Sequence, residues 1–166
     1  MNFSDYLACD ATALAQHVAR GDTTAGELLD IALGQHHRVH ARLNAVCTLM
    51  EPQARTKAAG PLSGPLAGVP FLIKDASQDY AGVPTSYGSR SMLRAVPDQH
   101  ASVVRRYLES GLVIFGKTNL PEFALKAVTD SRLYGRANNP WNQAHTPGGS
   151  SGGAAAAVAA GVVPMA

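Results

Sequence analysis

The sequence predicts an α/β fold with parallel strand pairing, on three observations. Two short apolar runs, VPFLIKD at 69–75 and LVIFG at 112–116, have the composition of strands buried on both faces. The amphipathic stretch VVRRYLES at 103–110 stands between them, and a helix leading into a buried strand is the unit from which parallel sheets are built. Hydrophobic residues make up 46% of the 166 and charged residues only 16%, so the chain can bury much of itself.

Each element has its own local signal. Asp10 is placed to cap a helix running to Arg20, and Gly21 with Asp22 breaks it. Thr24 and Glu27 have capping-box spacing, and Leu28, Ile31, Leu33 and Val39 recur near helical period, predicting a second helix toward His40. Asn44 to Met50 reads as a short strand, with Pro52 in the first turn of the helix that follows. GPLSGPLAG at 60–68 is turn material that delivers the chain into the first buried strand. Gly111 ends the amphipathic helix and the second buried strand follows. Pro121 and Glu122 begin a short helix, YGRANNPW is a polar loop, and TPGGSSGG leads into an alanine-rich helix over 154–160. No repeat or linker divides the chain, which reads as part of one domain.

Composition excludes several classes. Fourteen Lys and Arg against twelve Asp and Glu give +2, and the basic residues are scattered, so no nucleic-acid footprint is expected. No apolar run approaches the ~18 residues of a membrane span. Two cysteines make no disulfide framework, and the first twenty residues, which include Asp5 and Asp10, do not have the form of a secretory signal. The expectation is a cytoplasmic protein.

Gly111–Thr118, GLVIFGKT, satisfies the phosphate-loop pattern G-x-x-x-x-G-K-[ST] letter for letter. Its four variable positions, Leu112, Val113, Ile114 and Phe115, are apolar and mostly strand formers, and Pro121 interrupts the helix such a loop requires. The better reading is a core strand with Lys117 at the rim of the sheet. TPGGSSGG is richer. Four glycines, Gly148, Gly149, Gly152 and Gly153, bracket Ser150 and Ser151 immediately before a helix whose amino end favours an anion or a developing oxyanion. The competing reading, a flexible Gly-Ser linker, fits poorly with a helix of such strong alanine propensity. Lys74 ends an apolar strand, where burial favours the neutral amine and makes it a candidate general base. For an isolated lysine the alternative is an ion pair with Asp75 or a head group reaching to water.

The remaining candidates are weaker. His36 and His40 share a helix face with His37 nearby, but no further ligand pair has matching spacing, so a solvated histidine face is expected and no metal. Asp75 and Asp79 are placed to orient Lys74 or cap backbone, and Trp141 reads as a packing anchor.

GVPFLIKD, GKTNLPEFA, YGRANNPW and PGGSSGG follow one another between Gly64 and Ala166, and in that combination the chain resembles the amidase signature family. The resemblance implies a mixed β-sheet flanked by helices, no cofactor, and a Ser-Ser-Lys triad that cleaves carboxamides through an acyl-enzyme. Matched motif to motif, Lys74 is the lysine and Ser150 the bridging serine, following a cis Gly149–Ser150 bond. Gly148, Gly149, Ser151, Gly152 and Gly153 form the supporting loop, while Asp130 and Ser131 are candidates to line the substrate site. The family's nucleophilic serine would fall beyond Ala166, so residues 1–166 are expected to be the N-terminal part of one domain, inactive and aggregation-prone alone. Three readings stay open: a stand-alone amidase acting on a small amide, alone or as a homodimer; the catalytic A component of a glutamyl-tRNA(Gln) or aspartyl-tRNA(Asn) amidotransferase with partner subunits; and a non-catalytic fragment or pseudoenzyme.

Overall fold

The computed structural model describes residues 1–166. Three helices lead the chain: α1 (Phe3–Leu7), α2 (Ala11–Arg20) and α3 (Ala25–Leu43). The caps are those the sequence predicts for the last two. Asp10 accepts from the amide of Ala13, and Thr24 and Glu27 close a reciprocal capping box, each such cap being worth about 1 kcal/mol. The same device at Asn2 and Asp5 starts α1, a helix that Phe3–Leu7 is too short to announce by periodicity.

After α3 come β1 (Val46–Leu49), α4 (Glu51–Ala59), β2 (Pro70–Lys74), a 3₁₀ turn over Arg90–Met92, α5 (Ser102–Glu109) and β3 (Val113–Thr118). A 3₁₀ turn at Glu122–Ala124, the two-residue strands β4 (Asp130–Ser131) and β5 (Gly135–Arg136), and α6 (Gly152–Ala159) complete the order. The main sheet runs β1-β3-β2, with β2 parallel and β1 antiparallel to β3, so the α/β expectation and the mixed sheet both hold.

All six residues of β3 are buried, as a central strand covered on both faces requires. Alternate side chains feed two cores. Leu72, Val113 and Phe115 join Leu29 and Leu33 of α3 with Ala156 and Ala157 of α6. Phe71, Ile73 and Ile114 join Tyr6, Leu14 and Val104 from α1, α2 and α5. The ladder slips at Phe71/Leu72, where β3 carries one extra residue. Gly116 sits in that irregularity, and a Cβ there would lie 2.7 Å from the carbonyl oxygen of Thr48. The second glycine of the phosphate-loop pattern is therefore a strand-packing residue, and the four positions before it are strand and core. No helix is long and apolar enough to cross a membrane.

Three side chains depart from expectation. Lys117 is wholly buried on the central strand, where the sequence pointed to the rim. Trp141 is 81% exposed, so it anchors nothing in this chain. His36 is buried while His37 and His40 are exposed, so the three do not make one solvated face.

Candidate active site

The carboxyl ends of β2 and β3 and the amino end of α6 meet at one point. Lys74, the last residue of β2, reaches across to the serine loop, where its Nζ lies 2.7 Å from Ser150 Oγ and 3.1 Å from Ser151 Oγ. None of the six ion pairs in the molecule includes Lys74. Its partners are two hydroxyls, which can serve either protonation state of the amine by reversing donor and acceptor. Burial holds the Lys74 pKa below the ordinary lysine value. The partial positive charge at the start of α6, beside Ser151, acts in the same sense.

The loop is built to bring those hydroxyls to the amine. The Gly149–Ser150 peptide bond is cis, the isomer that the resemblance implied. Gly149 lies flat on the backbone of Lys126 to Val128, and a Cβ there would meet the Ala127 carbonyl carbon at 2.7 Å. Gly153 packs still more tightly, since an added Cβ would lie 2.5 Å from the carbonyl oxygens of both Ala45 and Asn119. Its amide donates to Asn119 O at 3.1 Å, which ties the first turn of α6 to the end of β3. Ser151 stands at the N-cap of α6 without capping it, leaving its hydroxyl for Lys74.

Thr129 pins the loop from the other side. Its Oγ1 donates to Gly148 O at 2.9 Å and accepts from the amide of Gly152 at 3.1 Å, bracketing the two serines. No sequence signal marks Thr129, because its partners lie 19 and 23 residues away.

Beneath Lys74 is a second polar group that sequence reasoning assigned differently. Asp75 does not orient Lys74. Its buried carboxylate accepts from Ser86 N at 3.2 Å, Ser86 Oγ at 2.5 Å and Tyr134 OH at 3.3 Å, and its cation is Lys117, at 3.5 Å. Lys117 Nζ also donates to Pro84 O at 2.6 Å and Thr85 Oγ1 at 2.8 Å. A sequence signal for this second lysine exists, since VIFGK repeats the pattern of PFLIK, an apolar strand ending in lysine. Burial lowers the Lys117 pKa and the Asp75 carboxylate opposes that shift, while burial pushes Tyr134 up to about 12.

Asp130 and Ser131 follow Thr129 on β4. Asp130 is exposed and paired with Lys126 at 3.1 Å, and Ser131 Oγ accepts from the amide of Tyr134 at 3.0 Å, closing the β4–β5 turn. Neither bonds to Lys74, Ser150 or Ser151. Asp79 is half-buried in the loop after β2. No group of three or more His, Cys, Asp or Glu side chains is gathered as a metal would require.

The amidase family model matches residues 27–166. The GatA-type component of Lachnospira eligens, which belongs to its glutamyl-tRNA(Gln) amidotransferase, is 40% identical over 168 residues, covering 96% of this chain and 34% of its own length. The lipoamidase of Enterococcus faecalis is 41% identical over 165 residues, covering 98% of this chain and 23% of its own. The structure of 6-aminohexanoate cyclic dimer hydrolase superposes with a TM-score of 0.90 at 37% identity, over 95% of this chain and 33% of that one. The chain thus spans about a third or less of the length of these relatives. With 140 of its residues inside the family model and a sheet, serine loop and lysine arranged as described, this chain belongs to the amidase family.

Proposed function

We propose that the protein cleaves a carboxamide C–N bond through a serine acyl-enzyme, with Lys74 as the base and Ser150 as the proton relay, and that residues 1–166 work within a longer amidase domain. The observation that carries this reading is the contact of Lys74 Nζ with Ser150 Oγ at 2.7 Å, made by a lysine that has no carboxylate partner. Neutral Lys74 takes the Ser150 hydroxyl proton as Ser150 Oγ takes the proton of a nucleophilic serine, which the family resemblance sets beyond residue 166. The serine oxygen bonds to the amide carbon, the C–N bond breaks, and the departing nitrogen receives the proton now held on Lys74. Water then cleaves the ester by the same relay. Ser151 shares the Lys74 amine and holds it toward Ser150, and the amides at the start of α6 favour negative charge nearby. Asp130 and Ser131, next to the loop's Thr129 brace, are the candidates to meet the substrate. Free Cys9 and Cys47 fit a reducing, cytoplasmic setting.

The test is amine or ammonia release by the full-length protein from a panel of amides. Lys74→Met and Ser150→Ala each reduce kcat/KM by about 10³-fold or more, a loss in the range expected for members of a relay. Full activity in either variant rejects the assignment. Since burial lowers the Lys74 pKa and the neutral form is the base, the rate rises with pH through a midpoint below that of free lysine. Residues 1–166 alone turn over no amide.

The relatives from glutamyl-tRNA(Gln) amidotransferases favour a second reading, in which the released ammonia serves a partner protein. Glutamine-dependent ammonia release, together with co-purification of a second polypeptide, distinguishes it from a stand-alone amidase.

A further inference from the structure

Two lysines end the two parallel strands, one residue apart in register, and their surroundings differ in kind. Lys74 of β2 is opposite Thr118 of β3, and Lys117 of β3 is opposite Ile73 of β2. Lys117 is wholly buried with a carboxylate at 3.5 Å, while Lys74 is half-buried with hydroxyls alone. The carboxylate belongs to Asp75, the residue next to Lys74 in the chain and the natural candidate for its ion-pair partner.

We propose that Lys117 is the fixed counter-charge of Asp75, and that by claiming this carboxylate it keeps Lys74 without an anionic partner and so available as a base. The proposal rests on the base role of Lys74 for its functional meaning and names the residue that makes that role tenable. A buried carboxylate must be neutralised or fully hydrogen-bonded, and Asp75 is wholly buried. Ser86 and Tyr134 supply three hydrogen bonds but no charge, so the compensating cation comes from Lys117. Lys117 is itself held by Pro84 O and Thr85 Oγ1, on the segment that carries Ser86, so the ammonium, the carboxylate and its donors form one rigid unit. Without that cation, the nearest chain neighbour able to answer the Asp75 charge is Lys74, and an anion within a few ångströms of an amine favours its protonated form.

The other ionisable groups around this unit do not compete for the role. Cys47 on β1 has its thiol pKa raised by burial, and Tyr134 titrates at about 12, so both are neutral near pH 7. Asp79 is half-buried in the loop after β2, and Lys126 and Asp130 are exposed and paired with each other.

The experiment follows the titration of Lys74 itself, by NMR of ¹³C-labelled lysine side chains in the full-length protein between pH 6 and 11, with the resonance assigned by its loss in Lys74→Arg. In Lys117→Met the Lys74 midpoint rises by about one pH unit, the lower end of the shift an adjacent opposite charge produces. In the double variant Lys117→Met/Asp75→Asn, which removes both charges, the midpoint returns to within a few tenths of the wild-type value. An unmoved midpoint in Lys117→Met overturns the proposal. Should Lys117→Met not fold, Asp75→Asn carries the test, because it leaves the Lys117 charge unopposed and lowers the Lys74 midpoint; a midpoint that stays or rises there overturns the proposal equally. Since the titration is read without turnover, a failure of the amide-cleavage reading shows in the activity of Lys74 and Ser150 variants and not here.

Discussion

Gly111–Thr118 and Thr146–Gly153 are both glycine-bearing stretches at the same end of the sheet, yet one is scaffold and the other carries reactive side chains. In each, a glycine lets two backbones approach closer than a Cβ would allow, at Gly116 against Thr48 and at Gly153 against Ala45 and Asn119. The difference lies in what the neighbouring polar groups do. Lys117 of the first stretch is wholly buried and committed to a carboxylate, a carbonyl and a threonine. The hydroxyls of Ser150 and Ser151 in the second meet Lys74, from a loop whose backbone is held elsewhere by Thr129 and Asn119. Glycine spacing therefore reports close packing in both places, and it is the uncommitted hydroxyls that separate a site from a strand.

The sharpest way to break this comparison is to fill the glycine contacts. Gly153→Ala is expected to cost about 3 kcal/mol or more, because its Cβ meets backbone atoms that cannot move aside, and Gly116→Ala is expected to cost somewhat less against a single carbonyl. Urea unfolding midpoints measure both; a mild effect at Gly153 would mean that α6 is free to shift and the loop is not held as described.

A smaller effect separates loop support from loop chemistry. Thr129→Val keeps the side-chain shape but leaves Gly148 O and the Gly152 amide without their shared partner, at a cost of about 1–3 kcal/mol. Amide turnover in the full-length variant should fall by roughly tenfold to a hundredfold, which 1.4 kcal/mol per decade makes the kinetic equivalent of that loss. Unchanged turnover would show that the serines hold their positions without this brace.

His36 offers a contrast outside both stretches, a titratable group that burial neutralises but no hydroxyl relay surrounds. Burial, with the nearby His40 and His37 adding to it, lowers its pKa to about 4 from an ordinary 6.5. The unfolded chain therefore takes up the His36 proton first, so stability is intact above about pH 6.5 and falls as the pH drops toward 4. In paired denaturation curves, His36→Leu should gain on the wild type as the pH falls through this window, and a constant difference would contradict the burial of a neutral imidazole.

The smallest expected effect is a control on glycine itself. Gly34 lies within α3 with nothing within 4 Å of an added Cβ, so Gly34→Ala should stabilise the protein by about 0.5–1 kcal/mol. Loss of stability there would mean that close approach is not what distinguishes Gly116 and Gly153.

Much of the fold was legible because its signals are local. The Thr24 and Asp10 caps, the Pro52 start of α4 and the apolar runs that became β2 and β3 each act through residues within a turn or a strand of one another. Lys74 and the PGGSSGG loop were likewise visible as residue types out of keeping with their surroundings, and the family resemblance named the pairing that no spacing argument could supply. What stayed hidden was long-range. Which strand-end lysine claims Asp75 depends on the register between β2 and β3, and that register slips by one residue at Phe71/Leu72. Thr129 gains its role only when β4 is laid beside the serine loop, and the exposure of Trp141 depends on which surfaces pack against it. Residue chemistry and local pattern were enough to say that this chain carries a buried strand ending in a lysine and a serine loop before a helix. Tertiary packing decided which of two such lysines is left free of a counter-charge, because a hydrogen bond or ion pair between residues dozens of positions apart exists only once register and close backbone contact have set the distance.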